Sequence, residues 1–93
     1  MSSRIIVIRR KLVAGRYELT EHAKDEMEQD GFLLDDVKRA LYGGRVVRTQ
    51  RDRRGRRYTV AGRADDGRGV RVVCRLTPLG YLRIITVYER GKL

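Results

Sequence analysis

Apolar positions at the start of the chain follow the spacing of a helix. Ile5, Ile8 and Leu12 recur about one turn apart, and Gly15 follows where a helix would end. This pattern predicts a first helix. Because β-branched residues are weak helix formers, a strand over Ile5 to Ile8 is the alternative interpretation.

Two further helices are predicted before residue 45. The second follows Thr20, whose side-chain oxygen can cap its first turn, and it ends at Gly31. The third begins after Asp35 or Asp36, either of which can act as its N-cap, and it ends at Gly43-Gly44. The residues predicted to face inward from these two helices are Ala23, Met27, Val37, Ala40 and Leu41.

From Arg45 onward the apolar residues alternate with polar ones, which is typical of strands. Gly-containing and Pro-containing turns separate four such segments. These strands are Arg45 to Gln50, Tyr58 to Gly62, Val70 to Thr77 and Leu82 to Tyr88. Helices first and strands afterwards predict an α+β fold, in which the helices pack on one face of a four-stranded antiparallel sheet. The length of 93 residues is that of one domain, residues 1–93.

The alternation also assigns side chains to the two faces of the sheet. Val70, Val72, Cys74 and Leu76 form the core face of their strand, and Tyr58 and Val60 do so in the preceding one. In the last strand, the side chains of one face are predicted to be Leu82, Ile84, Thr86 and Tyr88, and those of the other face Arg83, Ile85 and Val87. If the outer faces align, four arginines share one open surface: Arg63, Arg71, Arg75 and Arg83. The alternative is an ordinary solvated sheet face.

The charge balance makes a polyanionic partner the natural inference. Lys and Arg total 22 against 12 Asp and Glu, a formal net charge of +10. Arginine predominates over lysine, and its planar guanidinium suits phosphate, so RNA is the favoured partner. A merely well-solvated surface is the alternative interpretation.

The single cysteine and the N-terminal segment bear on where in the cell the protein is expected to be. The single cysteine, Cys74, lies in an apolar strand, which indicates a buried thiol in a reducing compartment, the cytoplasm. The N-terminal apolar run from Ile5 to Ile8 is too short for a signal peptide or a membrane span.

The densest basic run lies between the first two predicted strands. Its five arginines are predicted to occupy a mobile hairpin loop and to contact the RNA backbone: Arg51, Arg53, Arg54, Arg56 and Arg57. Arg83 on the open face is a further candidate for RNA contact. A hydrated hairpin tip is the alternative.

His22 is the one histidine and a candidate base. It follows the Thr20 cap, where the helix dipole favours the neutral imidazole, and Asp25 or Glu26 could orient it. A surface or capping histidine is the alternative. No ligand spacing typical of a zinc site occurs, and neither a P-loop nor a nucleophile motif is present, so we expect no metal and no cofactor. With one Phe, no Trp and five Tyr, base-stacking platforms are sparse.

Several segments together resemble the bacterial family known as domain of unknown function 4258. They are Tyr17-Glu18-Leu19-Thr20-Glu21-His22-Ala23, Met27, Gly31-Phe32, Asp36-Val37, Tyr58-x-Val60-x-Gly62 and Thr86-Val87-Tyr88. The Thr-x-His-Ala segment and the closing Thr-Val-Tyr strand are the most specific. The chain departs from the family pattern at Asp30, where an arginine is usual before the glycine that ends the second helix.

The family in turn resembles small toxins of the RelE superfamily and the motility quorum-sensing regulator ribonucleases. This resemblance implies a RelE-like architecture and a metal-free endoribonuclease that uses the 2′-hydroxyl of its RNA substrate. It also implies a cognate antitoxin, sometimes a zinc-finger protein. Of the candidate catalytic residues, His22 and Tyr88 match the family motif.

Two hypotheses follow. In the first, a toxin-like mRNA endoribonuclease grips RNA with Arg51 to Arg57, stabilises the transition state with Arg63, Arg71 or Arg75, and moves the proton with His22 or Tyr88. In the second, the protein is a non-catalytic adaptor whose basic sheet face docks nucleic acid or an acidic protein.

Overall fold

A computed structural model describes residues 4–90, and it confirms the α+β class over that part of the chain. Its helices and strands are, in chain order, α1 (Arg4–Val13), β1 (Tyr17–Leu19), α2 (Glu21–Asp30), α3 (Leu34–Gly43), β2 (Arg45–Asp52), β3 (Gly55–Arg63), β4 (Gly69–Leu76) and β5 (Leu82–Glu89). The segment for which a strand was the alternative, Ile5 to Ile8, is therefore helical. None of the helices within residues 4–90 is long and apolar enough to cross a membrane.

The sheet differs from the predicted one in its first strand. It has five strands in the order β1-β5-β4-β3-β2, and it is mixed, whereas four antiparallel strands were predicted. The additional strand, β1, pairs in parallel with β5, with Tyr17 opposite Leu82 and Leu19 opposite Ile84. Three residues are too few for an alternating pattern to be recognised, which explains why the sequence did not reveal this strand.

All three helices cover the same face of the sheet and enclose the core between themselves and the strands. Ile8 and Leu12 of α1 are buried, as predicted for a helix with an apolar stripe. The other buried apolar side chains include Ala23, Met27, Val37, Ala40, Leu41, Val60, Val70, Val72, Cys74, Leu82, Ile84 and Val87. The opposite face of the sheet has no helix on it in the described part of the chain, and it is called the open face below.

The ends of α2 agree with the sequence prediction, and the start of α3 does not. Thr20 caps α2 by accepting a hydrogen bond from the backbone N–H of Ala23 at 3.0 Å, and Gly31 ends the helix with a φ of +71°. The N-cap of α3 is Leu33, not Asp35 or Asp36. Asp36 lies inside the first turn, where one carboxylate oxygen accepts the Leu33 N–H at 2.8 Å. Its second oxygen accepts the N–H of Asp65, which ties the β3–β4 turn to the helix.

A β-bulge in β5 reverses the faces that were predicted for the side chains in the second half of this strand. Cys74 of β4 lies opposite Ile84 and Val73 lies opposite Thr86, so Ile85 is an extra residue without a partner on β4. The alternation shifts by one residue there. Val87 is consequently buried in the core, and Thr86 and Tyr88 share the open face with Arg83, contrary to the predicted grouping.

The outer edge of β5 beyond β1 is covered by side chains of the second helix. Thr20 donates its hydroxyl to the Ile85 carbonyl at 2.9 Å, and Glu26 accepts the Val87 N–H at 3.0 Å. Asp30, the position that departs from the family pattern, accepts the N–H of Glu89 at 3.2 Å. These acceptors and donors take the place of a neighbouring strand, so the backbone of β5 is hydrogen-bonded along both sides.

The third helix passes very close to β3 at two glycines. A Cβ on Gly62 would lie 2.6 Å from the Cα and 2.7 Å from the carbonyl carbon of Ala40, and it would be closer still to the Ala40 oxygen. Gly44 is enclosed in the same way by the Ala40 and Ala61 carbonyls. Both glycines are therefore required by a backbone-to-backbone approach, since any side chain would occupy the space of the helix.

Cys74 is buried in the core, as predicted, and burial raises the pKa of its thiol to about 12. We expect a bulky thiol reagent to label the native protein no faster than the protein opens, because the thiolate is the reactive form. Cys74→Ala should destabilise the fold by about 1–2 kcal/mol through the cavity it leaves. Labelling followed with and without denaturant tests the first expectation, and rapid labelling of the native protein would contradict it. Urea unfolding of Cys74→Ala measures the loss of stability.

Candidate functional site

The open face carries the predicted arginines in rows that cross the strands. In one row, Arg71 of β4 lies directly opposite Tyr88 of β5, and Ala61 separates Arg71 from Arg45 of β2. In another row, Arg75 lies opposite Arg83, which in turn lies opposite Glu18 of β1. Arg63 belongs to the same face at the end of β3, opposite Gly69. The row between the two arginine rows is uncharged apart from its outer end on β2 and contains Arg48, Thr59, Val73 and Thr86.

The predicted mobile loop from Arg51 to Arg57 is mostly strand. β2 and β3 extend to Asp52 and Gly55, so only Arg53 and Arg54 form the turn. Arg51 and Arg56 face each other across the two strands, and Asp52 accepts the N–H of Arg54 at 2.8 Å inside the turn. The arginines therefore project from a defined hairpin. The Asp and the Gly that flank its short turn are the residues that led to the prediction of a loop.

Arginine lines a hollow at the end of the sheet where α3 passes into β2. This first hollow has a volume of about 560 Å³, and its charged lining consists of Arg39, Arg45, Arg63, Arg71 and Arg90. Glycine and alanine provide the rest of the lining that residues 4–90 contribute, and none of these lining residues is acidic. Arg39 pairs with Asp65 at 3.3 Å, and Arg63 donates to the Gly67 carbonyl at 2.9 Å. Within residues 4–90, the side chains of Arg45, Arg71 and Arg90 have no hydrogen-bond acceptor or carboxylate partner.

A second hollow lies toward the β2–β3 hairpin, at the opposite end of the open face. Its volume is about 640 Å³, and its charged lining is Glu18, Asp52, Arg53, Arg54, Arg57, Arg75 and Arg83. Arg57 donates to Gln50 at 3.2 Å, while its Nε–H is buried and has no acceptor in the described part of the chain. Arg83 lies 3.6 Å from a carboxylate oxygen of Glu18. The second hollow therefore differs from the first in holding carboxylates among its arginines.

Arg75 is engaged within the protein. Its side chain is only 7% exposed, and it donates two hydrogen bonds, at 3.0 and 2.7 Å, to the two carboxylate oxygens of Asp52. This bidentate pair joins the hairpin to the centre of the sheet. It also compensates the like charge of Arg83 directly opposite Arg75, a pairing that would otherwise be unfavourable. Arg75 is thus placed to hold the hairpin over the second hollow.

The Asp52–Arg75 pair makes part of the stability depend on pH. Hydrogen bonds from the Arg75 side chain and the Arg54 backbone hold the pKa of Asp52 well below its usual range. Since the native pKa is the lower one, this stabilisation is present above an unfolded pKa of about 3.9 and is lost as the pH falls below it.

We therefore expect Asp52→Asn to lower the melting temperature at neutral pH and to flatten its decline below about pH 4. Asp25→Asn is the matched control, because Asp25 is an exposed carboxylate on α2. Thermal melts from pH 7 to pH 2.5 measure the difference. Equal acid sensitivity of the parent and Asp52→Asn would rule out this contribution.

His22 lies on α2 beside the segment of β5 that carries Tyr88. Its Nε2 is 3.2 Å from a carboxylate oxygen of Glu26, and the same oxygen accepts the N–H of Val87 at 3.0 Å. The imidazole is therefore within about 6 Å of the Val87 nitrogen, and its side chain is 64% exposed. Of the two carboxylates considered as its orienting group, Glu26 contacts it. Such a contact can fix the orientation of an imidazole that accepts a proton.

Other arginines hold the fold together, which the sequence pattern alone did not distinguish from binding arginines. Arg68 contacts Asp66 and Glu89, donates to the carbonyls of Asp30 and Gly31, and stacks over Phe32 at 4.3 Å. Arg9 donates to the carbonyls of Leu41 and Gly44 at the end of α3, and Arg16 to those of Leu79 and Gly80. Each of these structural arginines lies next to the end of a helix or a turn, where backbone carbonyls lack partners, and this distinguishes them from the arginines available for binding.

No cluster of three or more His, Cys, Asp or Glu side chains arranged to hold a metal ion occurs within residues 4–90. The side chains described at the site present guanidinium groups, one phenol and one imidazole. Guanidinium groups bind phosphate oxygens bidentately, and phenol and imidazole groups move protons.

Comparison with known proteins places the chain in a family. No curated protein and no solved structure matches it. Residues 19–89 match the model of a family described as a domain of unknown function (DUF4258). The matched segment includes α2, α3 and the four long strands, and with them most of the lining of both hollows. Because the match covers well over half of its length, the chain belongs to the DUF4258 family.

Proposed function

We propose that this protein is a metal-independent endoribonuclease that binds single-stranded RNA on its open face and cleaves it through the 2′-hydroxyl of the substrate. The observation that carries the proposal is the direct opposition of Tyr88 and Arg71, where Arg71 lines a hollow that is rich in arginine and has no carboxylate in its lining within residues 4–90. A phosphate bound there would meet guanidinium donors that have no other partner within residues 4–90. A proton-transferring phenol lies on the next strand.

The reaction needs no redox partner. The 2′-hydroxyl loses its proton to a base, and its oxygen attacks the adjacent phosphorus. The P–O5′ bond breaks, and the leaving oxygen takes up a proton. The products are a 2′,3′-cyclic phosphate and a 5′-hydroxyl, so bonds and protons balance.

The proposal assigns a role to each residue. Arg71 and Arg45 stabilise the charge that develops on the phosphoryl oxygens, because donors already oriented toward those oxygens need no rearrangement during the reaction. Tyr88 donates the proton to the leaving oxygen. His22, held by Glu26 beside the same strand segment, accepts the proton of the 2′-hydroxyl. Arg75 positions the hairpin through Asp52.

The biological setting in this proposal is that of a toxin of the RelE-like kind in the cytoplasm, encoded with an antitoxin. Its support is the resemblance of the motifs that contain His22 and Tyr88. Growth arrest on expression, relieved by the product of a neighbouring reading frame, would test that setting separately from the chemistry.

Binding is expected to depend steeply on salt, because it rests on phosphate contacts. The logarithm of the affinity for an unstructured RNA should fall linearly with the logarithm of the salt concentration, by about 0.7 per phosphate contacted. Fluorescence anisotropy across a salt series measures this slope. An affinity independent of salt would exclude the arginine rows as the binding surface.

Cleavage is tested with purified protein, an unstructured RNA and excess chelator. We expect cleavage products that end in a cyclic or 3′-phosphate, and we expect the same oligonucleotide with 2′-O-methyl groups to bind but stay intact. A requirement for added metal would contradict the mechanism. Salt-dependent binding of the parent protein without any cleavage would support the alternative, a non-catalytic adaptor.

A further inference from the structure

The second hollow is distinct from the position proposed for cleavage. It adjoins the row that contains Arg75 and Arg83, while Arg71 and Tyr88 belong to the row at the other end of the open face. Arg71 and Arg75 point to the same side of β4 and are four residues apart, which corresponds to about 13 Å along a strand. One phosphate group cannot occupy both positions.

The second hollow retains basic groups that the fold does not use. Arg53 and Arg54 are exposed in the hairpin turn and have no side-chain partner among residues 4–90. Arg57 has a buried Nε–H without an acceptor in the described part of the chain, and buried donors of this kind are rare unless a ligand or water satisfies them. Among residues 4–90, the Arg83 side chain makes only a long contact with Glu18. An anionic oxygen would satisfy donors that are left without partners there.

The surface between the two hollows suits a nucleoside rather than a phosphate. The row that crosses it has Arg48 at its outer end on β2, and its other members, Thr59, Val73 and Thr86, add no charge. Thr59 is only 8% exposed. No aromatic side chain belongs to that row, so a base lying there would not be selected by stacking. The face therefore presents two basic sites joined by a surface whose centre is uncharged.

We propose that the second hollow is a separate phosphate-binding site that holds the same RNA strand a few nucleotides away from the phosphate at Arg71. This inference rests on the proposed function and adds a minimal substrate length to it. Successive phosphates of a stacked strand advance about 3.4 Å, so about four steps span the distance, and an extended strand needs fewer. A pentanucleotide has four internucleotide phosphates and three steps between the outer two, so a strand slightly more extended than a stacked one reaches both hollows, whereas the single phosphate of a dinucleotide reaches one.

Two sites for one strand predict that the affinity for RNA rises in a step as the oligonucleotide becomes longer. Once one phosphate is bound, the second binds as if at a high local concentration. The affinity gained when the strand reaches the second site therefore exceeds the affinity gained from each nucleotide added elsewhere. The test measures binding of 2′-O-methyl oligouridylates from two to eight nucleotides long, which the protein cannot cleave. We expect the affinity to rise by at least roughly tenfold between two and five nucleotides and to change little from six to eight.

Variants assign the step to the second hollow. The double variant Arg54→Gln/Arg83→Gln should remove most of the gain for the pentanucleotide and alter dinucleotide affinity by no more than about twofold, because the first hollow remains. Its salt slope for the pentanucleotide should fall by about 0.7, the share of one phosphate. The double variant Arg10→Gln/Lys11→Gln on α1 is the charge-matched control, since both residues lie in the last turn of that helix, in the helix layer.

Two outcomes separate this inference from the proposed function. If the parent protein binds and cleaves long RNA but affinity rises evenly with length, or if the double variant weakens all lengths equally, the second site is wrong and the proposed function stands. If no oligonucleotide binds even at low salt, both are wrong. A melting temperature of the double variant close to that of the parent excludes misfolding as the cause of any loss.

Discussion

Gly62→Ala is expected to destabilise the protein by about 3 kcal/mol or more, which is a large fraction of the stability of a domain of this size. The new methyl group would lie 2.6 Å from the Cα of Ala40, a backbone atom that can move only if α3 moves with it. Displacing α3 from β3 would also separate Leu41 and Val37 from the core. Thermal and urea unfolding measure the loss, which corresponds to a fall in melting temperature of roughly 10 °C or more.

Gly43→Ala is the matched control for that experiment. Gly43 is the last residue of the same helix, and a Cβ added there would meet no atom within 4 Å. Alanine is the better helix former, so this variant should be as stable as the parent or slightly more stable. If both variants lose stability equally, the close approach of α3 to β3 is not the reason for the glycine at residue 62.

Tyr88→Phe is expected to slow RNA cleavage by roughly a hundredfold to ten-thousandfold while leaving RNA affinity nearly unchanged. The substitution removes the hydroxyl and keeps the ring that packs on the open face opposite Arg71. Single-turnover cleavage and equilibrium binding, measured on the same oligonucleotide, separate the two effects. Equal cleavage by Tyr88→Phe and the parent would show that the phenol does not move the proton.

Arg71→Gln completes this experiment, with Arg48→Gln as its control. Loss of Arg71 should slow cleavage by about a hundredfold or more, beyond any loss of binding, because it removes charge stabilisation in the transition state. Arg48 is an open-face arginine without a partner among residues 4–90, and it lies in the middle row, outside both hollows. Its loss should lower affinity and cleavage by the same small factor. An equal effect of both variants would reduce Arg71 to a general contributor of charge.

The helices and the core face of the sheet could be predicted from the sequence because their signals are local. Thr20 and Gly31 mark the ends of α2 through hydrogen bonds and backbone angles that involve only neighbouring residues. The alternation of Val70, Val72 and Cys74 identifies the buried side of β4, since a regular strand has a period of two. The same alternation placed Arg71 and Arg75 on the other side, where the structure has them.

The features that the sequence did not predict depend on contacts between distant parts of the chain. β1 exists because three residues find a parallel partner more than sixty residues away. The bulge at Ile85 follows another isoleucine, and no change of composition marks the shift of period that turns Tyr88 toward Arg71. The pairing of Arg75 with Asp52 spans a strand, so its engagement could not be inferred from either segment alone.

The closure of the β5 edge by α2 limits how copies of the protein can assemble. In the part of the chain that the structure describes, the sheet has a long unpaired edge only at β2, because β1 offers three residues and Glu26 and Asp30 occupy the backbone beyond it. Continuous cross-β growth requires an edge on each side of every subunit. Strand addition between copies would therefore end with a pair, and even this pair would bring Arg45, Arg48 and Arg51 of one β2 strand against those of another.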